Sequence, residues 1–148
     1  MPEKETIERA RRDKREGKAA STQAGEFVRE EMHHVREGKH GARSPEQAIA
    51  IGLSKARRSG VKLSAPKRGK KSTKESAKRD LRRGASTTGG KKSSKRATAT
   101  RSALKREGRS SASTTALSRH SRTVARKRSA SSRSAAAKKA ARTRSRHR

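Results

Sequence analysis

Cysteine, tryptophan and tyrosine are absent from the 148 residues, and Phe27 is the single aromatic side chain. Without thiols there is neither a disulfide framework nor a thiolate metal site. Without aromatics the chain lacks the stacking platforms on which single-stranded nucleic acid is normally held. Acidic residues are scarce as well, with 13 Asp and Glu against 44 Lys and Arg, a net charge of +31. Apolar runs are short: no stretch approaches the roughly 20 residues of a membrane span. The start, Met1-Pro2-Glu3-Lys4-Glu5, has none of the apolar character of a signal peptide. These absences set the expectation of an intracellular, cytoplasmic protein with no membrane partner, whose charge is neutralised by a polyanion.

What is present divides near Pro66. Residues 1–63 carry 15 basic and 10 acidic side chains, whereas residues 64–148 carry 29 basic and 3 acidic. In the second part only Leu81, Leu104, Leu117 and Val124 are large and apolar. Four such groups cannot offset an ordering cost of roughly 1–2 kcal/mol per residue. The expected fold is therefore mainly α: a small three-helix head over 1–63, followed by a long disordered basic tail over 64–148 that gains some helix on nucleic acid. Three patches in that tail are helix-competent, at 102–107, 115–120 and 134–142.

In the head, Glu3–Glu16 alternates acid and base at helical spacing, Gly17 follows as a stop, and only Ile7 and Ala10 share a face, so light packing is expected. The stretch 22–37 aligns Ala24, Phe27, Val28, Met32 and Val35 on one stripe and ends at Gly38. The third helix, about 45–59, has the sharpest start signal in the chain, Ser44-Pro45-Glu46-Gln47. Here Ser44 caps, Pro45 fits the first helical position, and Gln47 can reach back. Its apolar positions are Ala48, Ile49, Ile51, Leu53 and Ala56, with Gly60 as the left-handed cap and Val61 and Leu63 folding back.

Cations supply the candidate nucleic-acid-binding residues. The loop 38–43 runs into the amino end of the third helix, where free N–H groups attract an anion, and Lys39 and Arg43 are placed to clamp a phosphate there. Arg57, Arg58 and Lys62 lie at the far end of that helix. A helix-turn-helix motif reads bases from the amino end, which here carries Pro45 and Glu46, so base-specific readout is not expected. Lys67, Arg68, Lys70 and Lys71 form a basic hinge that only partly matches the Arg-Gly-Arg-Pro core of a minor-groove hook. Along the tail the set continues through Lys91, Lys92, Lys95, Arg96, Lys105, Arg106, Arg126, Lys127, Arg128, Lys138, Lys139, Arg142, Arg144, Arg146 and Arg148.

Other chemistry is poorly represented. His33, His34 and His40 lie near Glu30 and Glu37, but neighbouring helical residues point about 100 degrees apart. The pattern reads as surface pairs, and no metal or cofactor is expected. No nucleophile elbow, Walker loop or HExxH occurs, and no enzyme is expected.

Two resemblances follow from these segments. The alanine, lysine and arginine rich run Ser134-Ala135-Ala136-Ala137-Lys138-Lys139-Ala140-Ala141-Arg142 resembles the tails of histone H1 and of bacterial H1-like nucleoid proteins, a likeness of composition that stops short of the head. The segments 21–31, 38–44 and 47–58 resemble a family of small basic bacterial proteins of unknown function. The second resemblance implies a bacterial protein with a discrete head and adds no activity; the first, with the charge distribution, implies a nucleoid-associated protein that binds double-stranded DNA without sequence preference by neutralising phosphate. The alternatives are an RNA- or ribosome-associated basic protein, which the same cations would serve, and an adaptor whose head docks a protein partner.

Overall fold

Three helices stop in the same way. At Gly17, Gly38 and Gly60 the backbone turns to positive φ, at 71°, 77° and 92°. The next N–H then bonds back five residues, Lys18 to the Asp13 carbonyl, Lys39 to His34 and Val61 to Ala56, at 2.9–3.1 Å. Each bond satisfies a carbonyl that the helix end would otherwise leave without a partner. The computed structural model describes residues 2–86 and 93–146. These comprise α1 (Lys4–Arg15), α2 (Ala20–Arg36), α3 (Pro45–Arg58), α4 (Lys71–Ala85), α5 (Ser94–Arg106), a 3-10 turn (Ser110–Ala112), α6 (Thr114–Arg126) and α7 (Ala130–Arg146). The chain divides into two units, 1–113 and 114–148.

In the first unit α2 packs against both α1 and α3, α4 packs against α3, and the 3-10 turn rests on α2 and α3. The core is small: Ala10, Ala24, Phe27, Ala56 and Val61, with Ile7, Ala20, Leu53 and Leu63 partly buried around it. At the α2–α3 crossing, a Cβ on Gly52 would stand 2.7 Å from the Val28 Cα, so only glycine permits this approach. Ser44 opens α3 by accepting from the Gln47 N–H at 3.3 Å. The Gln47 side chain returns to the Arg43 N–H at 2.7 Å, one residue earlier than a capping box requires. The polar helix α1 is held by charge as well as by Ala10, through Arg9 Nε to Glu26 Oε2 at 2.7 Å.

The expectation of a long disordered tail is overturned. Helix covers 75% of the described residues, and four of the seven helices lie beyond residue 63. A count of large apolar groups overlooks what small residues do. Ala77 and Ala112 are buried, and Gly84 lies directly against the Arg57 carbonyl. Gly41 donates its N–H to the Leu104 carbonyl at 2.9 Å, and Ala42 donates to Gly108 at 3.0 Å. Arg36 Nε reaches the Ala112 carbonyl at 2.8 Å. Segments 71–85 and 104–112 are thus fastened to α2, α3 and the loop between them by backbone groups and side chains together.

In the second unit, Ser129 caps α7 by accepting from the Ser132 N–H at 3.2 Å, and Arg128 grips the Ser132 hydroxyl at 3.1 Å. Alanine at 135–137, 140 and 141 favours helix through that stretch.

Candidate nucleic-acid interface

The cations divide into those held by the fold and those left to solvent. Arg57 belongs to the first group. It is 7% exposed, and its guanidinium donates to the Leu63 carbonyl at 3.0 Å and the Ser64 carbonyl at 3.3 Å, a structural clasp under the end of α3. Burial pushes its pKa down. It is therefore withdrawn from the binding surface that the sequence suggests.

The phosphate clamp expected at the start of α3 is likewise engaged. Lys39 lies 3.1 Å from both Glu3 and Glu37, which raise its pKa, the Glu37 hydrogen bond more than that to Glu3. Arg43 lies 3.3 Å from Glu107. The loop amides of Gly41, Ala42 and Arg43 already donate to Leu104, Gly108 and Gln47. The protein's own oxygens therefore take up these amides, while the Lys39 and Arg43 side chains stay exposed.

Beside this loop lies a polar network that runs from exposed Glu3 and Lys39 to buried Glu30 and Glu31. His34 Nε2 is 2.9 Å from Glu3 Oε1, and the hydrogen bonds from His34 and Lys39 lower the Glu3 pKa to about 2. Lys55 Nζ is 3.4 Å from Glu30 and 2.6 Å from Glu31, and His40 Nε2 is 2.9 Å from Glu31. The sequence pattern makes these histidines surface groups, but among them only His33 is exposed; His34 is buried and His40 half-buried. The reason is that α2 is enclosed by two neighbours and so buries more than its apolar stripe.

The remaining cations stay open. Lys62, Lys67, Arg68, Lys70 and Lys71 are exposed between α3 and the start of α4. Arg58 is exposed too, with its Nε 3.8 Å from Asp80. On α5, Lys95, Arg96, Lys105 and Arg106 are exposed. In the second unit every described Lys and Arg is exposed: Arg126, Lys127, Arg128, Lys138, Lys139, Arg142, Arg144 and Arg146 from the sequence set, and Arg119, Arg122 and Arg133 besides. Lys91, Lys92 and Arg148 lie outside the described residues.

One row of these exposed cations, on α6, also lines a concavity. Arg119, Arg122 and Arg126 follow at spacings of three and four, which places successive Cβ atoms about 5–6 Å apart on one face. With Thr115, Ser118 and Thr123 they line one open concavity. Sequence reasoning selects Arg126 alone. The spacing that singles out Arg119 and Arg122 is legible, but composition makes the segment a tail rather than a helix. Residues 114–148 contain 12 Lys and Arg and no Asp or Glu, so no acidic side chain of this segment competes for these guanidinium groups.

No protein-family model, curated protein or solved structure matches the chain. Among the described residues no helix is long and apolar enough to cross a membrane.

Proposed function

We propose that the chain binds nucleic acid, duplex DNA foremost, through phosphate neutralisation and without sequence preference, as a nucleoid-associated protein does. The observation that carries this reading is the second unit: two helices whose described cations all face solvent, in a segment with no acid. Each neutralised phosphate releases condensed counterions, and this release supplies the free energy of binding. The Arg119, Arg122 and Arg126 row, with hydroxyls between, suits a run of phosphate oxygens, since guanidinium and hydroxyl groups both donate to them.

The experiment is a salt titration of binding to a labelled duplex. If about 10 phosphates are contacted, log affinity falls against log salt with a slope of about −9. Changing Arg119, Arg122 and Arg126 together to Gln in the full chain is expected to make the slope shallower by about 2.7. Scrambled duplex is expected to compete as well as the original. A slope untouched by the triple change would remove the α6 row from the interface, and preferential competition by single-stranded RNA would replace DNA with RNA as the partner.

A further inference from the structure

We infer that Glu31, His34 and His40 hold a divalent transition-metal ion of the zinc class. One donor atom from each of the three lies within 4.8 Å of the others. Ligands around tetrahedral zinc sit about 2.0–2.2 Å from the ion, hence roughly 3.3 Å from one another, so closure needs shifts of ~1 Å. The set, two imidazoles and a carboxylate, is one that zinc accepts with a fourth position left for water.

The hydrogen bonding of His40 leaves Nε2 as its ligating atom. Its Nδ1 is 3.0 Å from the Gly41 carbonyl oxygen, which can only accept, so Nδ1 carries a proton and donates. Its Nε2 faces Glu31 Oε1 at 2.9 Å. In the neutral ring that nitrogen carries the lone pair, so Nε2 is the atom of His40 able to ligate beside Glu31 Oε1. Glu31 itself is wholly buried. His40 and Lys55 are at ion-pair distance, yet neither Glu31 oxygen accepts a hydrogen bond of good geometry.

The surroundings resemble the outer support of a metal centre. His34 Nε2 is 2.9 Å from Glu3 Oε1, and a carboxylate on one imidazole nitrogen is the usual device for fixing the tautomer of a ligating histidine. With Nε2 donating to Glu3, the lone pair of His34 is on Nδ1. Lys55 Nζ contacts Glu31 Oε2 at 2.6 Å, leaving Oε1 for monodentate ligation. Glu3, Glu30 and Glu31 against Lys39 and Lys55 leave a net negative charge, which a dication bound by neutral imidazoles offsets. Glu31 and His34 share one face of α2 at a spacing of three, and His40 comes from the loop after it, so the ion would join the helix to the loop.

The test uses the full chain, freed of nucleic acid and stripped by chelator. Titration with Co²⁺ should give a d–d absorption band of tetrahedral intensity, saturating at one ion per chain and bleached by Zn²⁺. His40→Gln is expected to abolish the band with the helical circular dichroism retained. Glu3→Gln, at an exposed position, is expected to weaken Co²⁺ affinity by about 10–100-fold, and His33→Gln to leave it unchanged. A wild-type chain that gives no band, or a band that survives His40→Gln, overturns the proposal. Because the readout is metal absorption in protein without DNA, it stands or falls separately from nucleic-acid binding.

Discussion

The Ser54 hydroxyl donates to Asp80 Oδ2 across 2.6 Å, and this bond fastens α4 to α3. Asp80 is one of only three acids beyond residue 63, and another, Glu107, is paired with Arg43 at the mouth of α3. In a segment otherwise given over to cations, two of the three carboxylates are thus ties to the amino-terminal helices. A hydrogen bond to a charged group is worth about 1.5–3 kcal/mol. Ser54→Ala is therefore expected to lower unfolding stability by that amount and to expose 71–85 to limited proteolysis, both read in one urea series. Unchanged stability would show that this tie is incidental.

Glycine replacements separate close packing from helix propensity. Within a helix, Gly→Ala should stabilise by about 0.5–1 kcal/mol on backbone grounds alone. Gly25, in α2, has no neighbouring group within 4 Å of the point where a methyl would stand, so Gly25→Ala should show that gain. Gly84, in α4, would place its methyl against the Arg57 carbonyl and the Gly60 N–H. Backbone cannot step aside, and Gly84→Ala is expected to cost about 1–3 kcal/mol. Opposite signs in urea denaturation establish the α4 contact; a gain at both positions would mean that α4 does not dock there.

Much of the first three helices is legible in the sequence because it depends on nearby residues. Ser44 and Gln47 both act at the start of α3, though Gln47 bonds the Arg43 N–H instead of that of Ser44, and Phe27 sits in the core where its stripe places it. The later segments are illegible because their contacts are long-range and come from small groups. Nothing local at Gly41 announces a partner 63 residues on at Leu104, and nothing at Gly84 announces the Arg57 carbonyl. The same holds for the candidate interface. Composition locates the cations, but which are held by the fold depends on distant partners: Lys39 with Glu3, Arg43 with Glu107. The α6 row emerges only because the segment is helical, since spacings of three and four share a face on a helix and not on an extended chain.

Alkaline pH probes the junction of α1 and α2. Lys18 Nζ is 2.9 Å from Asp13, whose side chain is nearly buried, and 2.7 Å from Glu16. The hydrogen bond to Asp13, then that to Glu16, raises the Lys18 pKa above its ordinary 10.5. A raised value means that the folded chain holds this proton more tightly than the unfolded one. The contribution to stability is thus complete below 10.5 and is lost as pH rises through the folded value. The stability difference between wild type and Lys18→Met should be constant at neutral pH and shrink above 10.5, while the other lysines cancel in the comparison. A difference that persists at high pH would assign the effect to packing of the lysine stem.

Helicity in the absence of nucleic acid is the last expectation. A chain that folded only on its partner would spend roughly 1–2 kcal/mol per ordered residue from the gross binding energy. With α4 to α7 formed beforehand, that term is largely absent, and the energy of counterion release goes into affinity. Far-UV circular dichroism of the free protein at physiological ionic strength should therefore show the helix of α1 to α7 already formed. Saturating duplex should change it little. If instead the free chain shows helix only for α1 to α3 and the signal more than doubles on adding DNA, ordering accompanies binding, and affinity per neutralised phosphate should fall accordingly.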